Sequence, residues 1–306
     1  MRTIGLTIDA KLSGRTVQSV LERELGLSSG LISRLKRRPK GICINGRKVY
    51  TTARVQAGET LTAEIDDIPA LQPKTQAKPV PIKLSVLYED EDLLMIDKPA
   101  GIAVHADSRR PEEVTLENAL AAYLPDAVRI HPVSRLDRGT SGIMTYAKNG
   151  YVHELLRRML HTEEFRREYR GICVGKVTPA KGRITDPIGF AEGSTYRRSV
   201  VLENQTIQTR KMQDACTEYQ VLETGSNWSL LRLVPYTGRT HQLRVHMASR
   251  GYPLAGDWLY GNADGLGIQR PALHSYELWL KQPLRGEQLH LIAPMPEDML
   301  QVMRQV

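Results

Sequence analysis

Apolar residues early in the chain recur at helical spacing. Val17, Val20, Leu21 and Leu25 predict a helix within residues 12–25, and Leu31, Ile32 and Leu35 predict a second, short helix opening after Ser28 or Ser29. The outward positions of that second helix carry Arg34, Lys36, Arg37 and Arg38, with Lys40 just beyond. The pattern then changes to alternation. Gly41–Ile44 and Arg47–Val49 flank Asn45-Gly46, a pair suited to the positive backbone angles of a tight hairpin turn. A further strand is predicted over Leu61–Ile65. Residues 66–82 hold four prolines and no apolar period, which marks a semi-extended linker and a domain boundary.

Beyond the linker the strand period dominates. Strands are predicted at Ser85–Tyr88 and Leu93–Ile96, separated by a polar turn. A short helix is predicted over Thr115–Leu124 and an amphipathic one over residues 150–161, with Val152, Leu155, Leu156, Met159 and Leu160 turned inward. Longer strands follow at Phe165–Gly175, Tyr219–Leu222 and Trp228–Val234. Residues 176–216 read as polar loops with short strands near Ile184 and Val200–Leu202. A turn from Pro235 enters a helix ending near Gly251, and a late strand opens at Ala272-Leu273-His274.

Charge sets the first segment apart. Residues 1–65 hold twelve Lys/Arg and five Asp/Glu, a net of +7; the whole chain is +8, so residues 66–306 add only +1. A small, strongly basic segment is the footprint of a polyanion partner, with nucleic acid the first reading and an anionic membrane surface the second. The apolar content of 41% is ample for a core, yet no run of about 18 apolar residues exists to span a membrane. The opening MRTIGLTIDA lacks the charged-then-apolar pattern of a secretory signal, so a cytoplasmic protein is expected. Cys43, Cys173 and Cys216 have no CxxC spacing and are expected to be reduced, buried thiols. His241 and His246 lie five apart, which does not stack them on one helical face, and no HExxH pair occurs. Neither a metal nor a cofactor is expected.

The densest chemistry lies in HPVSRLDRGTSGIMTYAK, residues 131–148. Asp137 has Arg135 two residues before it and Arg138 immediately after, and Gly139 and Gly142 bracket two hydroxyl residues in a turn that feeds an extended segment. Glycine tolerates sharp turns, and a neighbouring guanidinium favours an ionised carboxylate. Such a carboxylate is a nucleophile or general base, or it caps a turn and pairs at the surface; spacing alone leaves both readings open. The full string RLDRGTSG resembles the catalytic motif of the RluA-type pseudouridine synthases, in which the Asp is the essential residue. Ser134 stands where that family usually has His. YEDEDLLMIDKPAGIAVH resembles the opening of the same catalytic domain, and within it Lys98 is open between a contact to RNA backbone and a solvated turn. Glu168-Tyr169-Arg170 lies in the place of the second motif, which makes Tyr169 an active-site residue. GRTHQLRVH resembles the third, whose second arginine, here Arg244, is the expected partner of Asp137. Gly256-Asp257 and Leu259-Tyr260-Gly261 follow as in relatives. The same resemblance puts Leu273 beneath the uracil and leaves Arg239 and His241 to position phosphates. It covers roughly residues 84–295.

Residues 14–65, with two short helices, a basic edge and a hairpin, resemble the RNA-binding domain first seen in small-subunit ribosomal protein four. Arg34, Lys36, Arg37 and Arg38 become its expected RNA contacts, mostly to phosphates. The expected architecture is α+β, a mixed, mostly antiparallel central sheet with flanking helices over residues 83–306, preceded by a small basic α/β domain at 1–65 and a linker at 66–82. The expected activity is isomerisation of uridine to pseudouridine in structured RNA. Ribosomal RNA is favoured over transfer RNA and the large subunit is favoured by analogy, with a monomeric enzyme that has no membrane partner. A buried uridine must be flipped out to react, and Arg135 is placed to fill the space it leaves. Two other readings remain: a non-catalytic RNA-binding or ribosome-assembly factor, and an N-glycoside hydrolase. The hydrolase would call for a second catalytic carboxylate that no motif supplies.

Overall fold

The computed structural model describes residues 2–65, 77–106, 110–125, 130–200, 212–261 and 266–304. They group into two units, one made of residues 2–65 with 130–131 and 147–158, the other of the remaining residues from 77 onward.

The first unit opens with β1 (Thr3–Thr7), α1 (Val17–Arg23), α2 (Ser29–Leu35), β2 (Ile42–Ile44), β3 (Arg47–Lys48) and β4 (Thr60–Glu64). The strands form an antiparallel sheet in the order β1-β4-β2-β3. Val17, Val20 and Leu21 of α1 and Leu31, Ile32 and Leu35 of α2 are buried. Helix α1 is shorter than the apolar spacing predicts. Gly14, at φ +82°, turns the chain, and Thr16 caps the first turn by accepting a hydrogen bond from the Ser19 amide. Leu25 falls beyond the helix and is half-buried, while Leu27 takes a fully buried place. At the hairpin tip Asn45 and Gly46 have φ +49° and +78°, the angles a two-residue turn of this hand requires. Strand β1, not among the elements expected, alternates in sequence and in burial, with Ile4 and Leu6 half-buried between exposed Thr3, Gly5 and Thr7. The helix Gly150–Met159 belongs to this unit in all but its last residue, with the Tyr151 hydroxyl donating to the Leu25 carbonyl at 2.5 Å. Most of the expected linker, residues 66–76, lies outside the described residues.

The chain then continues through β5 (Ser85–Glu89), β6 (Leu93–Lys98), α3 (Leu116–Tyr123), β7 (His131–Pro132), β8 (Ser141–Ala147), α4 (Gly150–Met159), β9 (Phe165–Val174), β10 (Lys181–Ile184), β11 (Ile188–Phe190) and β12 (Arg198–Val200). It ends with β13 (Thr217–Thr224), β14 (Trp228–Pro235), α5 (Gln242–Ser249), β15 (Leu273–Lys281), β16 (Gln288–Ile292) and α6 (Glu297–Met303). The large sheet of the second unit runs β10-β13-β14-β9-β15-β8-β6-β5, with β16 added on β15. Its long central pairs, β13–β14, β14–β9 and β9–β15, are antiparallel, whereas β15 runs parallel to β8 with His274 opposite Ser141. The fold is therefore the α+β, mixed and mostly antiparallel arrangement expected. One side of the sheet is sealed by Ile172, Trp228, Leu230, Ala272, Met299 and Val302. No helix among the described residues is long and apolar enough to cross a membrane.

Gly142 explains how β8 can lie against β15. It has φ +106°, and a Cβ there would sit 2.3 Å from the Ser275 carbonyl oxygen, so only glycine fits. Gly139 is needed for a different reason from the turn angle expected. Its Cβ would come within 2.9 Å of the Pro271 ring, so the demand is for close approach.

Candidate active site

The segment between Leu136 and Thr140 is a tight turn, closed by the Thr140 amide donating to the Asp137 carbonyl at 3.0 Å. Cations hold it from beneath. The Lys98 ammonium, fully buried at the end of β6, donates to the carbonyls of Arg138 (3.1 Å) and Thr140 (2.8 Å), and to that of Pro99 (2.9 Å). Arg270 Nη1 donates to the carbonyl between them, that of Gly139, at 3.1 Å. Lys98 therefore neither reaches outward to an RNA backbone nor sits at a solvated turn, the two positions left open by its place in the sequence. A buried ammonium is tolerable here because three carbonyl oxygens replace its water.

Burial pushes the Lys98 amine down from its ordinary 10.5 to about 8; the charge of Asp137 opposes the fall, and those of Arg270 and Arg138 add to it. Between pH about 8 and 10.5 the folded protein has released a proton that the unfolded chain still holds, so this group makes stability rise with pH across that window. Lys98→Met removes the contribution. In urea titrations the stability difference, wild type minus variant, is expected to grow from pH 8 to 10.5. A flat difference would show that Lys98 has no such depressed ionisation.

The turn projects Asp137 into a cleft of about 1260 Å³ in the second unit, lined also by Tyr169, Arg244, Leu273, Arg135 and Arg239. Asp137 Oδ2 accepts a hydrogen bond from Arg244 Nη1 at 3.2 Å, and His241 Nε2 stands 3.8 Å from the same oxygen. Arg244 comes from α5, in which every residue from Gln242 to Met247 is buried. Its guanidinium is locked by Asp257, whose two carboxylate oxygens accept from Nε and Nη2 at 2.8 Å each. Burial alone would weaken this cation, but the hydrogen bonds and charge of Asp257, with the charge of Asp137, hold its proton more firmly than usual. Asp257 is itself fully buried, and its Oδ1 also accepts from the amides of Leu259 and Tyr260 at 3.1 and 3.2 Å. An arginine fixed on one edge thus offers its remaining edge to Asp137.

His241 starts α5 with φ +59°, and its Nδ1 lies 2.8 Å from the Tyr260 hydroxyl, whose oxygen also accepts from the Arg198 amide. Burial lowers its pKa below the usual value, with Asp137 opposing. Strand alternation places Tyr169. Arg167 and Tyr169 of β9 face the cleft, while Glu168 and Arg170 face away, where the buried Glu168 carboxylate pairs with Arg166 (3.0 Å), Arg170 and Arg232. Tyr169 and Leu273 are both buried and lie on the paired strands β9 and β15. Ser134 accepts from Arg167 Nη1 at 2.7 Å. Arg135 is exposed, and Arg239 is half-buried with its Nε donating to the Asp214 carbonyl at 2.8 Å.

The other candidates belong to the first unit. Arg34, Lys36 and Arg37 are exposed there, but Arg38 differs from the outward position expected. It is turned toward Glu64, 3.4 Å away, and its side chain is only 11% exposed. Asp257 and Arg270 are the supporting residues that sequence reasoning did not assign. The signal for Asp257 was its place after Gly256 and ahead of two amides it could cap. Among the cysteines, Cys43 and Cys173 are buried as expected, whereas Cys216 is only half-buried.

Residues 92–249 match the RNA pseudouridylate synthase family. An uncharacterised RNA pseudouridine synthase of Bacillus subtilis, YhcT, is 32% identical over 99% of this chain and 97% of its own length. Ribosomal large subunit pseudouridine synthase D of Yersinia pestis is 35% identical over 85% of this chain and 81% of its own. Among solved structures, human RNA pseudouridylate synthase domain containing 4 superposes with a TM-score of 0.59 over 72% of this chain and 91% of that one, at 23% identity, which speaks for the fold. A match across more than half the chain, joined by relatives of this identity over most of its length, makes the protein a member of the RNA pseudouridylate synthase family.

Proposed function

We propose that the protein isomerises specific uridines to pseudouridine in structured RNA, with large-subunit ribosomal RNA as substrate. The observation that carries this reading is the Asp137 carboxylate, met at 3.2 Å by an arginine that the buried Asp257 fixes in place, in a cleft that Tyr169 and Leu273 also line. The reaction breaks the bond between ribose C1′ and uracil N1, turns the base, and joins C1′ to C5; the proton lost from C5 balances the one gained at N1. Asp137 starts the sequence, either by attack or by removal of a ribose proton, and Arg244 steadies its charge. Tyr169 and Leu273 supply the fitted, partly apolar walls that keep the detached base from leaving. The cleft exceeds the roughly 300–1,000 Å³ of a small-molecule pocket, in keeping with a stretch of RNA around a flipped nucleotide. Arg135, exposed on the same turn-bearing segment, is the side chain we assign to the space the uridine leaves.

Residues 1–65 act in this reading as a separate RNA-binding domain of the ribosomal-protein-four type, with Arg34, Lys36 and Arg37 on phosphates. The reading is supported by the exposure of these three cations and by the net charge of +7 carried by residues 1–65. The functional test is a map of pseudouridine in ribosomal and transfer RNA from cells lacking the protein, rescued with wild type or Asp137→Asn. Sites lost in the deletion and restored only by wild type establish the reaction and its substrate together. An unchanged map overturns the assignment and favours RNA binding without catalysis.

A further inference from the structure

Trp258 is 70% exposed, although the residue before it, Asp257, is fully buried. The other two tryptophans, Trp228 and Trp279, are buried or half-buried. The exposed indole lies along the same cleft as Asp137, and so does Tyr196, which is 55% exposed. Single exposed aromatics are common and carry no meaning by themselves. Two of them on the lip of one cleft, beside the cations Arg135 and Arg239, are a different matter.

The backbone beneath Trp258 is rigid. Gly256 has φ +69°, and a Cβ there would meet the Arg270 carbonyl oxygen at 2.3 Å. The Asp257 amide donates to the Leu254 carbonyl (3.1 Å), and the Gly261 amide donates to the Asp257 carbonyl (2.7 Å). The Trp258 amide itself donates to the Gly256 carbonyl (3.0 Å), and the carboxylate of Asp257 ties down the amides of Leu259 and Tyr260 and Arg244 at once. The indole is thus held at the cleft mouth by the same turn that positions Arg244, so little backbone freedom is lost when something flat packs on it. In front of such a cleft the flat, apolar and abundant objects are nucleobases. A nucleotide flanking a flipped uridine has lost one stacking neighbour and exposes a bare π-face.

We propose that Trp258, together with Tyr196, forms a stacking platform for a nucleobase adjacent to the reacting uridine. The inference rests on the isomerase reading only in taking RNA as the substrate. Stacking is tolerant of base identity, so the platform adds affinity and orientation, and leaves sequence choice to other contacts.

The test uses the full chain and an unmodified in vitro transcript of large-subunit ribosomal RNA, labelled with tritium at uridine C5, whose release reports turnover. Trp258→Ala is expected to raise KM about tenfold, the usual size for loss of one base–aromatic stack. The rate at saturation holds, and Trp258→Phe recovers most of the lost affinity. Adding unlabelled transcript quenches tryptophan fluorescence in wild type, and most of that quench is absent in Trp258→Phe. Wild-type KM in Trp258→Ala, or an undiminished quench in Trp258→Phe, overturns the platform. So does a collapse of the saturated rate that Phe does not rescue, since Trp258 would then be supporting the turn alone. If wild type itself releases no tritium, the isomerase reading fails, and the fluorescence comparison still decides whether Trp258 stacks on RNA.

Discussion

Asp137→Asn is expected to lower turnover by at least about 1,000-fold, the scale on which loss of a group acting in the transition state is felt. RNA affinity should stay near wild type. The substitution keeps the side-chain shape and an oxygen that can still accept from Arg244, and it removes only the negative charge. Asp137 is 29% exposed at its side chain, and Arg244 keeps the buried Asp257 as its anion in the variant. Single-turnover release of tritium at saturating RNA, paired with filter binding, separates the two quantities. A residual rate within a few-fold of wild type would remove Asp137 from the chemistry and return the cleft to a binding role.

Asp257→Asn should produce the second large effect, through a residue that touches neither RNA nor Asp137. Arg244 would keep its charge inside the protein while losing the anion that accepts from two of its nitrogens. Removing one partner of a buried ion pair costs about 3 kcal/mol or more, because the other charge is left unbalanced. The larger consequence is positional. With its fixed edge released, the guanidinium no longer meets Asp137 in one geometry, and a displacement near 1 Å lowers rates by roughly 100-fold. We expect a lower melting temperature together with a rate at saturation reduced by about that factor, with KM little changed, measured well below the melting transition. Lost stability at an unaltered saturated rate would make Asp257 a purely structural residue.

The parts of this molecule legible in its sequence are those whose apolar pattern and burial agree. The helix over Ser29–Leu35, strands β9 and β14 and, from its Asn-Gly pair, the hairpin all read correctly, and the first helix read correctly in place though too long. Helix α5 did not present a face, because Gln242 through Met247 are all buried, and only the string GRTHQLRVH marked it. Strands β1 and β16 went unread although both alternate, with Ile4 and Leu6 in one and Leu289 and Leu291 in the other on the half-buried side. Lys98 misled for a different reason. A lysine before Pro-Ala-Gly looks solvated, and two of the three carbonyls that enclose it belong to a turn about 40 residues further on. The same limit applies to Asp257, whose meaning depends on where α5 places Arg244.

The parallel contact between β8 and β15 also sets when the site can exist during synthesis. Ser141 meets its partner His274 133 residues later, the carbonyl of Gly139 waits 131 residues for Arg270, and Asp137 waits 107 for Arg244. Contacts of such sequence separation form slowly, since the intervening chain must first surrender its freedom. At about 5–20 residues per second, a ribosome spends several seconds or more between emitting the carboxylate and emitting the last side chain that fixes its turn. The basic N-terminal helices and hairpin depend on contacts made within the first 65 residues or with residues 147–158, so affinity for polyanions can arise well before reactivity does. On the proposed role of residues 1–65, a nascent chain of this design holds RNA before it is able to alter it.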